Sequence, residues 1–308
     1  MDYQKIINGV YKNTRHIKTG NNADYIPILA KVDPEIYSIS ICDIEGKLYS
    51  KGNYKTEVAI ESISKLLTLA AAVKKLGTRK VFNKIGTEGS FLPFNSVVAA
   101  ELSKNHTINP FLNQGAMATT SLLYMRNTNK FKETLLNNMS EFASRKLRVG
   151  KKIYESESKT NSVNMSLAYL LKSFKRFYGP VKDTVDAYTY QCSVKINSND
   201  LAKMAAVFAN GGVNPITQKT LLTQKQTSYI LNSLLSEGLY EYSNQWMTKT
   251  GGGVYAKSGV GGGLLIIIPN VCGIGIISPK LDSYGNSVRG ISAGIMLSKK
   301  LKEPLFIK

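Results

Sequence analysis

Strand-like segments at both ends of this 308-residue chain, with helical patterns between them, constrain its fold more than any other feature. Near the start, Ile36–Ile44 and Lys47–Lys51 flank the turn Glu45-Gly46 and predict a β-hairpin. Near the end, three short strands are predicted before a closing helix, over Tyr255–Gly259, Gly263–Ile268 and Gly273–Ser278, with the helix at Ser287–Leu301. The pattern predicts an α+β fold, an α/β sandwich whose sheet comes from the two ends of the chain, with a helical subdomain inserted.

Apolar residues recur at helical spacing through the middle of the chain. The first such pattern runs from Ile60 to Val73, stops at Gly77 and predicts a buried helix. Further helices are predicted at Ala118–Met125, Phe131–Arg148, Asn164–Phe177, Leu201–Asn210 and Gln224–Ser236, with turn clusters at Gly86–Asn95 and Asn109–Gly115. We expect one domain over residues 1–308, with a sheet-and-helix lobe (1–60 plus 195–308) and a mainly helical lobe (61–194).

The net charge of +19 raises the question of an anionic partner. The lysines are scattered, and no basic stripe is interleaved with aromatic residues, so a solvated surface is favoured over nucleic-acid binding. The most apolar run, Leu264–Ile268, is too short to span a membrane, and Met1–Lys18 lacks the apolar segment of a signal peptide. Three widely spaced cysteines fit a reducing compartment. The expectation is a cytoplasmic protein without a membrane or nucleic-acid partner.

Histidine is nearly absent, which restricts the chemistry available. Neither His16 nor His106 has another histidine or a cysteine at metal-ligand spacing, so no metal site is expected. A Ser-His-Asp triad would have to use one of these two positions. A hydrolase of this sequence is therefore expected to use a different base.

Ser62-Ile63-Ser64-Lys65 supplies such a base. Residues i and i+3 share a face of a helix, so Ser62 and Lys65 can point into one cleft while Ser64 turns away. A buried, neutral lysine can accept the serine proton. Alone the motif is weak, because a serine and a solvated lysine at this spacing are common.

Lys257-Ser258-Gly259 strengthens that interpretation. Serine β-lactamases and penicillin-binding proteins combine an S-x-x-K motif with a K-T-G element. Here Lys257-Ser258-Gly259 follows a strand-like stretch and precedes further glycines, which allow a ligand to approach the backbone closely. By itself the tripeptide is more typical of a turn, but the two motifs in this order predict a cleft.

The segments around these motifs resemble the serine-dependent glutaminase family. The resemblance rests on a co-linear set of segments, which are Ala23–Pro27, Ser62–Lys65, Phe94–Ser96, Asn109–Ala116, Gln191–Ser193, Ala209–Gly212, Ala256–Val260, Ser278-Pro279, Leu281-Asp282 and Gly285–Val288. They cover the chain from about Ala23 to about Gly290. The resemblance implies a serine β-lactamase-like fold, hydrolysis of L-glutamine to L-glutamate and ammonia without a cofactor, and assembly into a homodimer or homotetramer.

The resemblance also implies roles for particular residues. Ser62 resembles the family's nucleophile, Lys65 its base, and Val260 the backbone donor that forms the oxyanion hole with the N–H of Ser62. The substrate-pocket residues implied are Tyr25, Asn113, Glu157, Asn164, Tyr188 and Tyr240. Chemically, a carboxylate such as Glu157 suits the substrate ammonium, whereas amides and phenols suit its α-carboxylate. Tyr188 and Tyr240 are candidates to relay a proton to the departing ammonia.

Three of these residues also have simpler interpretations. Tyr25 could be a packed aromatic residue before Pro27, Asn113 could be a turn residue, and Glu157 lies in a Ser/Glu-rich stretch typical of a solvated loop.

Three positions depart from the family pattern. Glu61 stands where the family usually carries glutamine, directly before the nucleophile, so we expect an altered pH optimum or affinity. Gly89-Ser90-Phe91 replaces the usual Pro-Ser-Gly, and Gln114 replaces a small alanine.

Two alternatives stay open at this stage. One is another penicillin-recognising type of hydrolase, a β-lactamase or DD-peptidase, which nitrocefin turnover would reveal. The other is a non-catalytic anion-binding protein, suggested by the net charge of +19. A weak, salt-insensitive interaction with DNA would argue against it.

Overall fold

The computed structural model describes residues 1–302, which form eight strands in two antiparallel sheets. The strands are β1 (Ser38–Asp43), β2 (Leu48–Gly52), β3 (Val58–Ala59), β4 (Arg148–Val149), β5 (Val194–Ile196), β6 (Tyr255–Gly259), β7 (Gly263–Ile268) and β8 (Cys272–Ile277). The main sheet has the order β2-β1-β8-β7-β6, and the small sheet has the order β3-β5-β4. Ser38 of β1 pairs with Ile277 of β8, so the two ends of the chain share one sheet, and the predicted fold class is confirmed.

Thirteen helices complete the described part of the chain. They are α1 (Tyr3–Thr14), α2 (Ser64–Leu76), α3 (Thr78–Ile85), α4 (Val98–Glu101), α5 (Asn113–Ser121), α6 (Thr128–Ala143), α7 (Lys151–Lys159), α8 (Ser162–Ser173), α9 (Val181–Cys192), α10 (Ser198–Ala209), α11 (Gln224–Glu237), α12 (Ser243–Thr250) and α13 (Val288–Leu301). Two short 3-10 turns lie at Glu61–Ile63 and Tyr240–Tyr242.

Several helix boundaries predicted from the sequence differ from those in the structure. The helix predicted over Phe131–Arg148 ends at Ala143, because Ser144 adopts a left-handed conformation with a φ of 53°. Arg148 belongs instead to β4. The sequence also missed α1, α3, α4, α7, α9 and α12. In α7 no residue is buried, so the sequence contains no apolar periodicity to reveal that helix.

A hydrophobic core lies on each face of the main sheet. Helix α10 packs on one face, where the added Cβ of a residue at Gly275 would stand 2.1 Å from the Ser198 carbonyl oxygen. Glycine at this position of β8 therefore lets the helix backbone approach the strand. Helices α1 and α13 cover the other face. Helix α2 is buried at the centre of the helical part, and the turn before its N-terminus contacts the end of β6.

None of the helices within residues 1–302 combines the length and apolar character needed to cross a bilayer. The three cysteines, Cys42, Cys192 and Cys272, are buried as free thiols.

Candidate active site

Ser62 lies in the 3-10 turn that leads into α2, a tighter conformation than the α-helical first turn that the sequence predicted. The preceding residue, Glu61, has a φ of 51°, a left-handed conformation that is strained for any residue except glycine. The end of β6 presses against this turn, since an added Cβ at Gly259 would stand 2.5 Å from the Ile60 carbonyl oxygen. Ser64 turns away as expected, with its Oγ 3.7 Å from Cys192 Sγ.

Lys65 is almost completely buried one turn after Ser62, with 1 % of its surface exposed. Its Nζ donates to the Phe111 carbonyl oxygen at 2.8 Å and to Asn113 Oδ1 at 2.7 Å. Burial lowers the pKa of Lys65 to about 7, although the nearby Glu61 and Glu237 carboxyl groups act in the opposite direction. These bonds hold the amine in place without reaching Ser62, and hydrogen bonds between catalytic groups commonly tighten only when substrate binds.

Tyr240 lies between Lys65 and a second buried lysine. The Nζ of Lys257 is 4.2 Å from the Tyr240 ring centroid, and the Nζ of Lys65 is 5.5 Å from it. Burial raises the pKa of Tyr240, and a contact with the Ser62 hydroxyl partly offsets that rise. Burial, and then the proximity of Lys65, lowers the pKa of Lys257 well below its usual value. The cleft therefore contains two amines with a reduced tendency to carry charge, both beside a phenol.

Asn113 connects three of the predicted pocket residues. It is the first residue of α5, not part of a turn as the turn cluster Asn109–Gly115 predicted. Its Nδ2 donates to Asn164 Oδ1 at 3.0 Å, while its Oδ1 accepts a hydrogen bond from Lys65 and a longer one, of 3.5 Å, from the Tyr188 hydroxyl. A single amide thus orients the base and two candidate substrate contacts.

Glu157 and Glu61 form a carboxyl pair in the same cleft. Glu157 lies in α7, so the solvated-loop interpretation of its segment is wrong, and its Oε1 accepts a hydrogen bond from Ser193 Oγ at 3.0 Å. Burial raises the pKa of Glu157 to about 7. Burial and then the Glu157 charge raise the pKa of Glu61 well above its usual value. One oxygen of each carboxyl and Cys192 Sγ lie within 4.8 Å of one another, a spacing able to surround a small cation.

Tyr25 and Val260 lie at the mouth of the cleft. Together with Phe94 and Gly285 they line an open cavity of about 480 Å³. Tyr25 is 53 % exposed, so it is not the buried packing residue that its position before Pro27 also allowed. Val260 directly follows β6 and is buried, beside the turn that carries Ser62.

The sequence missed a chain of polar contacts behind Lys65. Glu237 is buried, and its Oε2 accepts from Asn109 Nδ2 at 3.1 Å. Asn109 Oδ1 in turn accepts from the backbone N–H of Phe111 at 2.9 Å, and the Phe111 carbonyl accepts from Lys65. Glu237 follows Ile230 and Leu234 at helical spacing on the buried face of α11. This spacing is the sequence feature that could have predicted that Glu237 is buried.

The predicted residues therefore occupy one cleft. Lys65, Asn113, Asn164 and Tyr188 form a hydrogen-bonded group, and Ser62 and Tyr240 lie beside it. A hydroxyl next to a buried amine of lowered pKa is an arrangement suited to acyl transfer.

Comparisons with known proteins identify the family. The Glutaminase family model matches residues 20–306. A Glutaminase of Colwellia psychrerythraea (strain 34H / ATCC BAA-681) is 43% identical over 98% of this chain and 97% of its own length. Glutaminase 1 of Escherichia coli (strain K12) is 39% identical over the same shares of the two chains.

Solved structures agree. A probable glutaminase, ybaS, has a TM-score of 0.96 at 38% identity, with 100% of both chains covered. A probable glutaminase from Bacillus subtilis complexed with 6-diazo-5-oxo-L-norleucine has a TM-score of 0.85 at 25% identity, covering 98% of this chain and 95% of that one. Mglu in its L-glutamate binding form has a TM-score of 0.93 at 32% identity and covers 100% of this chain and 69% of that chain. The chain belongs to the Glutaminase family and is an amidohydrolase that converts glutamine to glutamate.

Proposed function

We propose that this glutaminase acts through a Ser62 acyl-enzyme, with Lys65 as the general base. The observation that carries the proposal is the burial of Lys65, which lowers its pKa to about 7 one turn after Ser62. A lysine with its ordinary pKa of about 10.4 would be protonated at neutral pH and unable to accept a proton. Burial removes that obstacle without histidine.

The proposed reaction has two halves. Ser62 Oγ attacks the δ-carbonyl carbon of glutamine while its proton passes to Lys65, and the backbone N–H groups of Ser62 and Val260 stabilise the resulting oxyanion. The C–N bond then breaks, and the departing ammonia takes up the proton held by Lys65, relayed through Tyr240 or Tyr188, so Lys65 is neutral again. Water, deprotonated by Lys65, next attacks the γ-glutamyl ester. Cleavage of the ester releases glutamate, and Lys65 returns the proton it took from water to Ser62 Oγ.

Substrate recognition uses groups of opposite character. We assign the α-ammonium to Glu157 and the α-carboxylate to neutral donors, namely Tyr25, Asn113, Asn164 and Tyr188. The similarity to a Bacillus subtilis protein complexed with 6-diazo-5-oxo-L-norleucine and to the L-glutamate binding form of Mglu supports an amino-acid ligand in this cleft. Neutral donors around the substrate's α-carboxylate avoid the repulsion that a protein carboxylate would cause there.

The decisive experiment measures glutamate and ammonia released from L-glutamine. Ser62→Ala and Lys65→Ala should each lower kcat by at least about a thousandfold, because the nucleophile and its base act as one unit. Ser64→Ala is the matched control, since that hydroxyl contacts the buried Cys192 thiol and has no assigned role in the reaction, and it should keep most of the activity. Substantial turnover by Ser62→Ala would contradict the mechanism.

We also propose that the protein is a homodimer or homotetramer that works in the cytoplasm. Exposed apolar side chains cluster in one segment, at Phe91, Val97, Val98 and Leu102, as is common at subunit interfaces. The three free, buried thiols suit a reducing compartment. Light scattering during gel filtration measures the assembly, and a monomeric mass at micromolar concentration would contradict it. Cell fractionation tests the compartment.

A further inference from the structure

Glu61 and Glu157 place two carboxyl groups side by side in the cleft, the first on a buried residue and the second on a partly exposed one. Glu61 is 4 % exposed, and its Oε1 has no hydrogen-bond partner in the described part of the chain. Oxygen atoms of the two carboxyl groups lie within 4.8 Å of each other, with Cys192 Sγ at the same spacing. Ionising both carboxyls so close together is unfavourable, so such a pair retains a proton.

The groups around the pair do not balance two negative charges. Lys65 faces Glu61 from α2, but its pKa of about 7 leaves it mainly neutral above that pH. Cys192 faces the pair from α9, and burial raises its pKa. Tyr25 faces the pair from the N-terminal segment, and although its ring is half exposed, desolvation of the hydroxyl raises its pKa, so both groups are uncharged. An unpaired carboxyl oxygen without a fixed cation is suited to a cation that arrives with the ligand.

We propose that Glu61 is a second carboxyl group in the receptor for the substrate's α-ammonium, and that the proton it shares with Glu157 leaves when the ammonium binds. This inference rests on the proposed function, which assigns the ammonium to Glu157. Glu61 is then an affinity-determining residue that makes glutamine binding respond to pH. It also makes recognition depend on a free, charged α-amino group.

The direction of the pH response follows from linkage. A cation bound beside the pair favours its ionised form, so a protonated pair must lose its proton for the ammonium to bind well. Affinity therefore rises with pH, by at most about tenfold per pH unit for one proton. At pH 8 Lys65 and Glu157, with pKa values of about 7, have largely lost their protons already. Glu61, which is buried and whose ionised form the Glu157 carboxylate opposes, is then the expected source of a released proton.

Calorimetry can count that proton. L-glutamine is titrated at pH 8 into Ser62→Ala, which blocks turnover, in buffers of low and high ionisation enthalpy such as phosphate and Tris. We expect release of more than about half a proton per site, and a Kd that falls about threefold to tenfold per pH unit between pH 6.5 and 8. In Ser62→Ala/Glu61→Gln, which keeps the side-chain shape, we expect almost no proton release at pH 8 and a Kd that depends less steeply on pH than in Ser62→Ala.

Two controls make the result specific. Glu155→Gln removes an exposed carboxylate from the same helix as Glu157 and should leave proton release unchanged. Glutaramate, which is glutamine without its α-amino group, should release no proton when it binds Ser62→Ala. Comparing the two ligands tests the role of the ammonium without a substitution at Glu61. Thermal unfolding of each variant reports whether it is folded.

Either of two outcomes would overturn the inference. Equal proton release with and without Glu61→Gln would place the proton elsewhere, and no release from Ser62→Ala would mean that Glu61 stays a neutral acid throughout. The proposed function fails separately, if Ser62→Ala still hydrolyses glutamine. A loss of activity in that variant combined with unchanged proton release in the double variant would remove only the role of Glu61.

Discussion

The chemistry of single residues in this cleft is controlled chiefly by burial. Lys65 and Lys257 lose much of their tendency to hold a proton, whereas Glu61, Glu157 and Tyr240 gain it. Each change favours the uncharged form, as expected when an ionisable group leaves water. A protein with two histidines thereby obtains a base that works near neutrality.

The pKa of Lys65 gives the pH dependence of kcat. Only the neutral amine accepts a proton, so kcat should rise as pH increases through about 7 and then level off. Below that value it should fall by about tenfold per pH unit. Steady-state rates at saturating glutamine between pH 5.5 and 8.5 test this. A kcat that stays constant across that range would contradict the assignment of Lys65 as the base.

At the scale of elements, the loop before α5 sets the position of Lys65. This loop supplies the Phe111 carbonyl, and Asn109 holds it by accepting from the N–H groups of Phe111 and Leu112. An added Cβ at Gly115 would stand 1.7 Å from the Asn109 carbonyl oxygen. Only glycine allows α5 to begin this close to its own preceding loop.

Replacing that glycine should therefore damage both stability and catalysis. Gly115→Ala is expected to lower the free energy of unfolding by more than about 2 kcal/mol and to reduce kcat more than it changes KM. Gly9→Ala is the control, because a Cβ there meets nothing within 4 Å in α1, and it should stabilise the protein by about 0.5 to 1 kcal/mol. Urea unfolding measures both, and equal stabilities for the two variants would refute the steric argument.

The elements that the sequence predicted well are those with a strong apolar pattern, such as the helical spacing of α2 and the unbroken apolar run of β7. Helix α7 escaped prediction because it has no buried residue, although it carries Glu157. The resemblance supplied the substrate contacts, but contacts between distant residues, such as Glu237 with Asn109, depend on tertiary packing. Sequence spacing alone contains no information about them.

At the scale of the whole molecule, one partly buried ion pair joins distant parts of the chain. Arg145, just after α6, makes a bidentate contact to Asp200 of α10, with distances of 2.6 Å and 2.7 Å, and also reaches Glu57 beside β3 at 3.2 Å. Asp200 is only 1 % exposed. Removing its partner would leave a nearly buried carboxylate without its cation.

Arg145→Met should accordingly lower the free energy of unfolding by about 3 kcal/mol. Arg148→Met is the matched control, since Arg148 also contacts Glu57, at 2.8 Å, but its side chain is 71% exposed. Exposed ion pairs contribute less than about 1 kcal/mol. Chemical denaturation at low ionic strength compares them, and losses of equal size would show that burial of Asp200 does not determine the effect.

The pairing of β1 with β8 has a consequence for how the enzyme is made. During synthesis the β1–β2 hairpin emerges early, yet the neighbour that completes its sheet lies at Cys272–Ile277. The helical region can collapse before β8 is made, which leaves β1 with an unpaired edge. Such an edge is a site for aggregation or chaperone binding. The strand that contacts the Ser62 turn, β6, is also translated late, at Tyr255–Gly259. A stalled or shortened nascent chain therefore carries the nucleophile without a working cleft.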